Sequence, residues 1–396
     1  MQPAKMPPAD PDLMTPMLPS ENERQLEDLA FNLIRKASSL AGQIHPIVAS
    51  AIGNLVRSMN CYYSNLIEGH ETHPRDIDRA LHEDYSAEPK RRVLQLEAVA
   101  HIEVQHAIDN GCDDPAYPAS ATYAIWLHRE FCRRLPEELM WIDDPFSSRL
   151  VRLDPGVLRD GNVVVGNHLA PAAESVSSFL KRFDQAYDPE NLSKVRQIVA
   201  SAAAHHRLLW IHPFFDGNGR VARLMSHAMF KRLGIGSSLW SVARGLARNA
   251  SRYKSLLMAA DEHTTENDGH GSLSQQALNE FCHFFLAVCV DQVDFMHKLL
   301  EPLEALRRIE IYTEEEIRAN RLPKGSFPLL REAFLAGEFE RGQAPSLTGY
   351  RERMARMVLS RLLESDLLES ASPKARVRLG FPLGVVERWF PALYPG

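Results

Sequence analysis

The chain has 396 residues, of which 45% are hydrophobic and 24% charged, an ordinary globular composition at a length that suits two or three domains. Its formal net charge of −6 argues against a nucleic-acid coat or a polybasic membrane binder. No apolar run approaches the roughly 18 to 20 residues of a membrane helix, and the N-terminus lacks the apolar stretch of a secretory signal. The five cysteines form no CxxC pair, so we expect a reducing, cytoplasmic compartment with no disulfides or zinc site.

Helical spacing of apolar residues dominates the sequence after a leader, 1–22, whose prolines predict a disordered or draped segment. The spacing predicts helices at 23–40, 46–68, 90–110, 119–135, 175–187, 192–210, 219–233, 250–261 and 275–300. One β-prone stretch, VLRDGNVVV, interrupts this pattern. Its Asp160-Gly161 pair predicts the turn of a β-hairpin.

Composition changes again at about 314–326, which predicts a linker at 306–324. The last seventy or so residues then read as helix, turn, helix, helix and two short strands, the order of a winged helix-turn-helix. We therefore expect an N-terminal helical region at 23–115, a central region at 116–305 and a winged-helix-like domain at 325–396.

The segment His212-Pro213-Phe214-Phe215-Asp216-Gly217-Asn218-Gly219-Arg220, followed by Arg223, carries the clearest chemical pattern. A helix stops at Pro213, and a glycine-rich loop opens the next helix. Such a helix start presents unpaired N–H groups and the positive end of a dipole, which suits a phosphate. Arg220 and Arg223 lie three residues apart and can add charge-assisted bonds on one face.

Two further side chains complete this pattern. Asp216 offers a carboxylate for Mg²⁺ held jointly with a nucleotide. His212 has an ordinary pKa near neutrality and can accept a proton from an attacking hydroxyl. Because the loop lacks the GxxxxGK[ST] pattern and has no lysine, the phosphorus under attack need not be the γ one.

The segment from His212 to Arg223 resembles the HPFx[D/E]GNGRxxR signature of the Fic family (filamentation induced by cyclic AMP), with every fixed position matched. The resemblance implies a mainly α fold, with a helical core and a β-hairpin flap. It implies an enzyme that transfers AMP from ATP to a hydroxyl of a target protein. The implied roles are general base for His212, Mg²⁺ ligand for Asp216, an anion hole around the α-phosphate for Gly217, Asn218 and Gly219, and binding of the β- and γ-phosphates for Arg220 and Arg223.

The segment Ser64–Gly69 fits the inhibitory pattern [S/T]xxxE[G/N] of the same family. Glu68 lies in the last predicted turn of a helix, where a carboxylate faces the negative end of the dipole at a cost of several tenths of a kcal/mol. A partner cation would explain its presence. The resemblance implies that Arg223 is this partner. It also implies that Glu68, when paired with Arg223, occupies the place of the γ-phosphate of ATP.

Weaker signals surround these motifs. The hairpin at 157–165, with Val163, Val164 and Val165, is similar to the family's flap, which docks the target by adding a strand. Asn249 and Tyr253 lie where the family often contacts the adenine. His205 and His206 follow the pattern of helix-surface or core residues rather than metal ligands.

Several alternatives remain at this stage. The reaction could run as removal of AMP from a modified protein or as transfer of another phosphate-linked group. The chain could instead be a nucleotide-sensing transcriptional regulator. Acidic neighbours dilute the arginines of the winged-helix segment, which favours a scaffolding or homo-oligomer role over DNA binding. The expected partners are ATP with Mg²⁺ and a protein target, and no membrane.

Overall fold

The structure is a computed structural model that describes residues 7–20, 24–143, 150–236, 238–262 and 273–394. The chain divides into two compact units, and each unit is assembled from separated stretches of sequence. The first comprises Met1–Arg35, Asn60–Ser237 and Ser241–Gln292, and the second comprises Lys36–Met59, Ser238–Trp240 and Val293–Gly396. The predicted contiguous segments therefore do not coincide with the compact units.

The described residues are mainly helical. The helices are α1 (Arg24–Ala41), α2 (Pro46–Ile67), α3 (Pro74–Leu81), α4 (Pro89–Asp109), α5 (Ala121–Cys132), α6 (Val176–Ala186), α7 (Lys194–Ile211), α8 (Asn218–Arg232), α9 (Val242–Arg248), α10 (Ala250–Asp261), α11 (Gln275–Leu299), α12 (Pro302–Arg318), α13 (Ser326–Ala336), α14 (Ala344–Thr348), α15 (Glu352–Glu364) and α16 (Leu383–Trp389). No helix in these ranges combines the length and apolar character that a membrane crossing requires. The nine helices predicted from spacing all occur, each with ends within three residues of the prediction.

Helices α7 and α8 form the centre of the first unit, where they pack on each other and on α5 and α6. Residues of α7 are buried on nearly every side of the helix, and its alanines 202–204 are fully buried. Small side chains there let neighbouring helices approach closely. Trp210 and Phe214 add large apolar surfaces at the end of α7 and in the loop that follows. This packing fixes the α7–α8 loop.

Residues 7–20 lie along the first unit as a strap, with one 3₁₀ helix at Pro11–Met14. Met14 is fully buried. The carbonyl of Pro16 accepts bonds from the buried Arg207 guanidinium at 3.0 and 2.6 Å, and the Tyr187 hydroxyl donates to the carbonyl of Met17 at 2.6 Å. Proline removes backbone N–H donors, so the strap binds mainly through its carbonyl oxygens.

Among the described residues of the first unit, four short strands pair into two two-stranded sheets. In one, β1 (Trp141–Asp143) pairs with β2 (Leu150–Arg152); in the other, β3 (Val164–Val165) pairs with β4 (His168–Leu169). The prediction of a hairpin turn at Asp160-Gly161 is wrong. The chain turns instead at Gly166, whose φ of +58° suits glycine.

In the second unit, α13, α14 and α15 pack together beside a three-stranded sheet of order β5 (Glu338–Phe339), β7 (Val377–Leu379) and β6 (Leu368–Glu369). The stretch 306–324, expected to be a linker, is largely helical because α12 occupies Pro302–Arg318. Pro302 starts this helix at its first position, where a missing N–H costs nothing, and the Glu301 side chain accepts from the Glu304 N–H.

Candidate functional site

The loop between α7 and α8 places His212 in a strained backbone conformation. His212 ends α7 with φ of 48° and ψ of 61°, in the left-handed region that non-glycine residues rarely adopt. Its N–H still donates to the carbonyl of Leu208 at 3.0 Å. Such strain persists only where surrounding contacts impose it, and it concentrates at functional sites.

The Asn218 side chain closes this loop. Its Oδ1 accepts from the Phe214 N–H at 3.0 Å, and its Nδ2 donates to the Phe214 carbonyl at 2.8 Å. Gly217 precedes α8 with φ of 79°, and its N–H donates to Asp216 Oδ1 at 2.6 Å. The Asn218 amide is therefore used to hold the loop, while the glycine backbone shapes the helix start.

Arg159 braces the same loop from the segment before β3. Its side chain is buried and donates to the carbonyls of His212 at 2.8 Å, Gly161 at 2.9 Å and Pro171 at 2.5 Å. Its backbone N–H donates to the Pro213 carbonyl at 3.0 Å. These bonds explain why Asp160-Gly161 does not form a hairpin turn, because Arg159 ties this segment to the loop.

A cavity of about 540 Å³ opens beside the loop. The motif contributes His212, Gly219 and Arg223 to its wall, and the end of α2 contributes Glu68. The other lining residues come from the β3–β4 hairpin and α10: Val165, Gly166, Asn167, His168, Tyr253, Lys254, Leu257, Met258 and Asp261, with Ile67 and Leu209. Its volume falls within the range of small-molecule sites.

Glu68 forms an ion pair with Arg223 inside this cavity. Glu68 Oε1 lies 2.5 Å from Arg223 Nη2, and the Arg223 Nε donates to Ser64 Oγ at 2.8 Å. A Cβ built on Gly219 would collide with Glu68 Oε1. The carboxylate therefore lies directly against the first turn of α8. Burial alone would raise the pKa of Glu68, but the Arg223 and Arg220 cations outweigh it, so the pKa is lowered.

Arg220 forms a second ion pair, with Glu97 of α4. Both side chains are buried, at 6% and 2% exposure. The guanidinium carbon lies 5.4 Å from the centre of the Phe131 ring. Glu97 Oε2 lies 2.8 Å from His70 Nδ1, so both carboxylate oxygens have partners. The two motif arginines are thus each matched by a carboxylate from a different helix.

The electrostatic surroundings keep His212 neutral. Burial, followed by electrostatic repulsion from the nearby His168 ring, lowers the pKa of His212 to about 4. His168 is held by a contact between its Nε2 and the Trp210 carbonyl at 2.8 Å. A neutral imidazole at neutral pH is the form that can accept a proton.

The remaining predicted residues take different positions. Val163 is buried, whereas Val164 and Val165 are 42% and 43% exposed on β3. Tyr253 lines the cavity with its hydroxyl bound to His205 Nε2 at 2.7 Å. Asn249 does not line the cavity, and its Nδ2 donates to the carbonyl of Gly245 at 2.9 Å.

His205 and His206 are buried core residues with partners at both ring nitrogens. His205 Nδ1 lies 2.9 Å from Ser226 Oγ, opposite the Tyr253 contact. His206 Nδ1 lies 2.8 Å from Arg207 Nη1, and His206 Nε2 lies 3.2 Å from Asp261 Oδ1. Among the described residues, no group of three His, Cys, Asp or Glu side chains could hold a metal ion. The donors of the loop fit a metal shared with a substrate, because exposed Asp216 supplies one carboxylate and phosphate oxygens would supply others.

Comparison with known proteins finds a family model that matches the central part of the chain. Residues 118–230 match the family model described as the Fic/DOC family. This chain contains a Fic domain. The protein adenylyltransferase Fic of Drosophila erecta is 34% identical over 82 residues, which is 21% of this chain and 17% of that protein. The corresponding protein of Drosophila melanogaster matches equally. The match thus spans about a sixth of the length of these curated relatives.

Solved structures share the fold. A Fic family protein from Desulfovibrio desulfuricans G20 superposes with a TM-score of 0.51 at 18% identity, covering 89% of this chain and 96% of that chain. A Fic domain containing signaling protein from Bacteroides thetaiotaomicron gives a TM-score of 0.51 at 17% identity, covering 69% and 97%. The fold of this chain is therefore the Fic fold with few short strands.

The sequence pattern did not identify three side chains that hold the α7–α8 loop or the groups around Arg220. They are Arg159, Glu97 and His70. Each acts on a residue far away in sequence; Glu97, for example, lies 123 positions from Arg220. The local signal is Glu97 among the apolar residues of the run VLQLEAVA of α4, in which Gln95 is the other polar residue. A carboxylate at a buried helical position requires a cation, and that argument could have identified Glu97.

Proposed function

We propose that this chain transfers AMP from ATP to a Ser, Thr or Tyr hydroxyl of a target protein, and that Glu68 restrains the transfer. One observation carries the proposal. His212, Gly219 and Arg223 line the same cavity, and the Glu68 carboxylate lies on Arg223 within it. A neutral base, a helix start and a cation around one space meet the needs of attack on a phosphate.

In the proposed reaction, the target hydroxyl oxygen attacks the α-phosphorus. Its proton passes to the His212 imidazole as the new O–P bond forms. The bond from the α-phosphorus to the bridging oxygen breaks, and pyrophosphate leaves. The start of α8 and Arg223 stabilise the charge on the phosphates. When bound beside Asp216, Mg²⁺ would supply further neutralisation of that charge.

The restraint follows from competition for one cation. Arg223 is 2% exposed and is already bound by Glu68 and Ser64, so it has little capacity left for a terminal phosphate. Because the carboxylate also lies against Gly219, a triphosphate would have to bind in a displaced pose. ATP could still bind while its α-phosphorus points away from the line of attack.

We propose that the exposed valines of the β3–β4 hairpin receive the target. Val164 and Val165 lie on the edge of a two-stranded sheet, where an extended peptide can add as a further strand. Val165 also lines the cavity, so a peptide paired there would bring its hydroxyl near His212.

For 325–396 we propose a winged-helix domain with a scaffolding role. Acidic side chains pair with two of the three arginines of α15: Arg356 with Glu352 at 3.2 Å and Arg361 with Glu364 at 3.5 Å. A helix that reads DNA needs arginines free for phosphates. The balance of charge on α15 therefore favours binding to protein over binding to DNA.

Incubation with α-labelled ATP, Mg²⁺ and cell lysate tests the function. A Glu68→Gly protein should label itself or a lysate protein, and the same protein with His212→Ala added should not. Loss of label from a purified product on further incubation would reveal removal of AMP as the main activity. Absence of any His212-dependent label would contradict the proposed transfer.

A further inference from the structure

The turn that carries Glu68 has a second attachment to the body of the first unit. Gly69 follows Glu68 with φ of 85°, and the chain then presents His70. The His70 N–H donates back to the carbonyl of Asn65 at 2.9 Å. Its ring extends to α4, where Nδ1 lies 2.8 Å from Glu97 Oε2. Glu68 and His70 thus hold the same turn to two different helices.

The two carboxylates differ in their freedom to move. The Glu68 side chain is 31% exposed at the end of a helix, whereas Glu97 is 2% exposed within α4. A buried carboxylate cannot leave its cation without a large desolvation cost. Glu97 is therefore a fixed anchor on Arg220, and Glu68 is the displaceable group. A contact that attaches the turn to Glu97 therefore affects how readily the Glu68 carboxylate leaves Arg223.

His70 is the group that joins the turn to this anchor, and its ring is accessible. The side chain is 36% exposed. Its Nδ1 also lies 3.1 Å from Arg220 Nη2. When the ring is neutral, this nitrogen either accepts from Arg220 or, as the Nδ1–H tautomer, donates to Glu97; when the ring is protonated, Nδ1–H donates to Glu97 and the two groups also attract as opposite charges. The second arrangement is the stronger of the two.

We propose that His70 is a positioning residue of the inhibitory turn, and that its protonated ring, bound to Glu97, holds Glu68 on Arg223. This inference rests on the proposed inhibitory role of Glu68. It assigns the contact a task in regulation rather than in the chemical step. Protonation of His70 would then regulate transfer through the position of Glu68.

The direction of the pH effect follows from the groups that face His70. They are Glu97 from α4, Arg220 from α8 and Glu68 from the turn itself. The hydrogen bond to Glu97 raises the pKa of His70 above its ordinary value of 6.5, against burial and the charge of Arg220. Attachment is therefore strongest at acidic pH and weakens as pH rises through the raised pKa. Restraint by Glu68 should weaken with it.

The test compares transfer rates with Glu68 intact and with Glu68→Gly, between about pH 6 and about pH 8.5. The ratio of intact to Glu68→Gly rates should rise about three- to tenfold over this range. His70→Leu should give the high ratio throughout, and His70→Lys, which keeps its charge, should give the low ratio throughout. His73→Leu, at an exposed position three residues on, should behave as the unaltered protein. Equal ratios for His70→Leu and the unaltered protein would overturn the proposal.

Hydrogen exchange supplies a measurement that does not depend on transfer. The amides of Glu68, Gly69 and His70 donate within the turn. At about pH 6, His70→Leu should accelerate their exchange about three- to tenfold, and His73→Leu should not. Unchanged exchange would also overturn the proposal. If Glu68→Gly shows no transfer at any pH, the proposed function fails, and exchange alone decides whether His70 holds the turn.

Discussion

Glu68 and Arg223 form an ion pair at 2.5 Å whose carboxylate rests on Gly219, at the start of α8. The pair is asymmetric. Arg223 is buried and bound also to Ser64, whereas Glu68 is partly exposed at the end of a helix. The carboxylate can therefore leave, and the guanidinium stays. This difference determines what each substitution should do.

Removing the two partners should have opposite effects. Glu68→Gly frees Arg223 for a phosphate and should raise transfer at least tenfold, with nucleotide affinity changing less than rate. Arg223→Ala deletes the phosphate ligand and should stay inactive even in combination with Glu68→Gly. Label incorporation from α-labelled ATP measures both. Glu71→Gly, an exposed change three residues on, should have no effect, and equal behaviour of the two partners would indicate a purely structural salt bridge.

Loss of the His212 imidazole should lower the transfer rate and leave nucleotide binding nearly unchanged. In a Glu68→Gly background, His212→Ala should lower the transfer rate by about 10²- to 10⁴-fold while nucleotide affinity, measured by calorimetry, changes little. Because the pKa of His212 is lowered to about 4, the imidazole is neutral above that pH. With Glu68→Gly in place, transfer should hold steady across neutral pH and fall as pH drops through about 4. Near-normal transfer by His212→Ala would refute the assignment.

Metal dependence should rest on Asp216. Asp216→Ala leaves backbone amides and arginines at the loop but no carboxylate, so Mg²⁺ should support nucleotide binding only at much higher concentration. Titration of Mg²⁺ at fixed nucleotide measures the shift. Asp160→Ala removes an exposed carboxylate from the neighbouring segment and should leave the titration unchanged. Coincident curves for the Asp216 variant and the unaltered protein would place the ion elsewhere.

Arg159 should matter for stability as well as for the loop. Arg159→Ala leaves several buried carbonyls without donors, which should cost about 2 to 4 kcal/mol of unfolding free energy. Chemical denaturation measures this loss. Arg152→Ala removes an arginine that pairs at the surface with Asp154, and it should change the midpoint little. A small effect at Arg159 would mean that the loop holds its conformation without the brace.

Duplex DNA should bind weakly at physiological salt. Two of the three arginines of α15, Arg356 and Arg361, pair with glutamates of the same helix, so few phosphates would be neutralised. A plot of log affinity against log salt should therefore have a slope near zero. Tight binding with a steep negative slope would favour the transcriptional-regulator alternative.

Local patterns predicted nine helices of the first 300 residues and the α7–α8 loop because their determinants lie within a few residues. Apolar periodicity located α2 and α7, and Pro213 marked the end of α7. The predicted hairpin turn failed for a non-local reason: the Arg159 side chain binds the carbonyl of His212, 53 positions away, and this outweighs the turn preference of Asp160-Gly161. The discontinuous units could not be predicted, since they depend on packing between segments far apart in sequence.

The order of Glu68 and Arg223 along the chain has a consequence for synthesis. Glu68 precedes Arg223 by 155 residues, and the ribosome emits a chain from its N-terminus at about 5 to 20 residues per second. The carboxylate is therefore outside the ribosome well before its arginine is made. Under the proposed function, a nascent chain would contain the restraining carboxylate before it contains the complete α7–α8 loop, and a newly made copy would have no interval in which to modify other proteins. A circular permutation that placed α2 last would reverse this order of emergence.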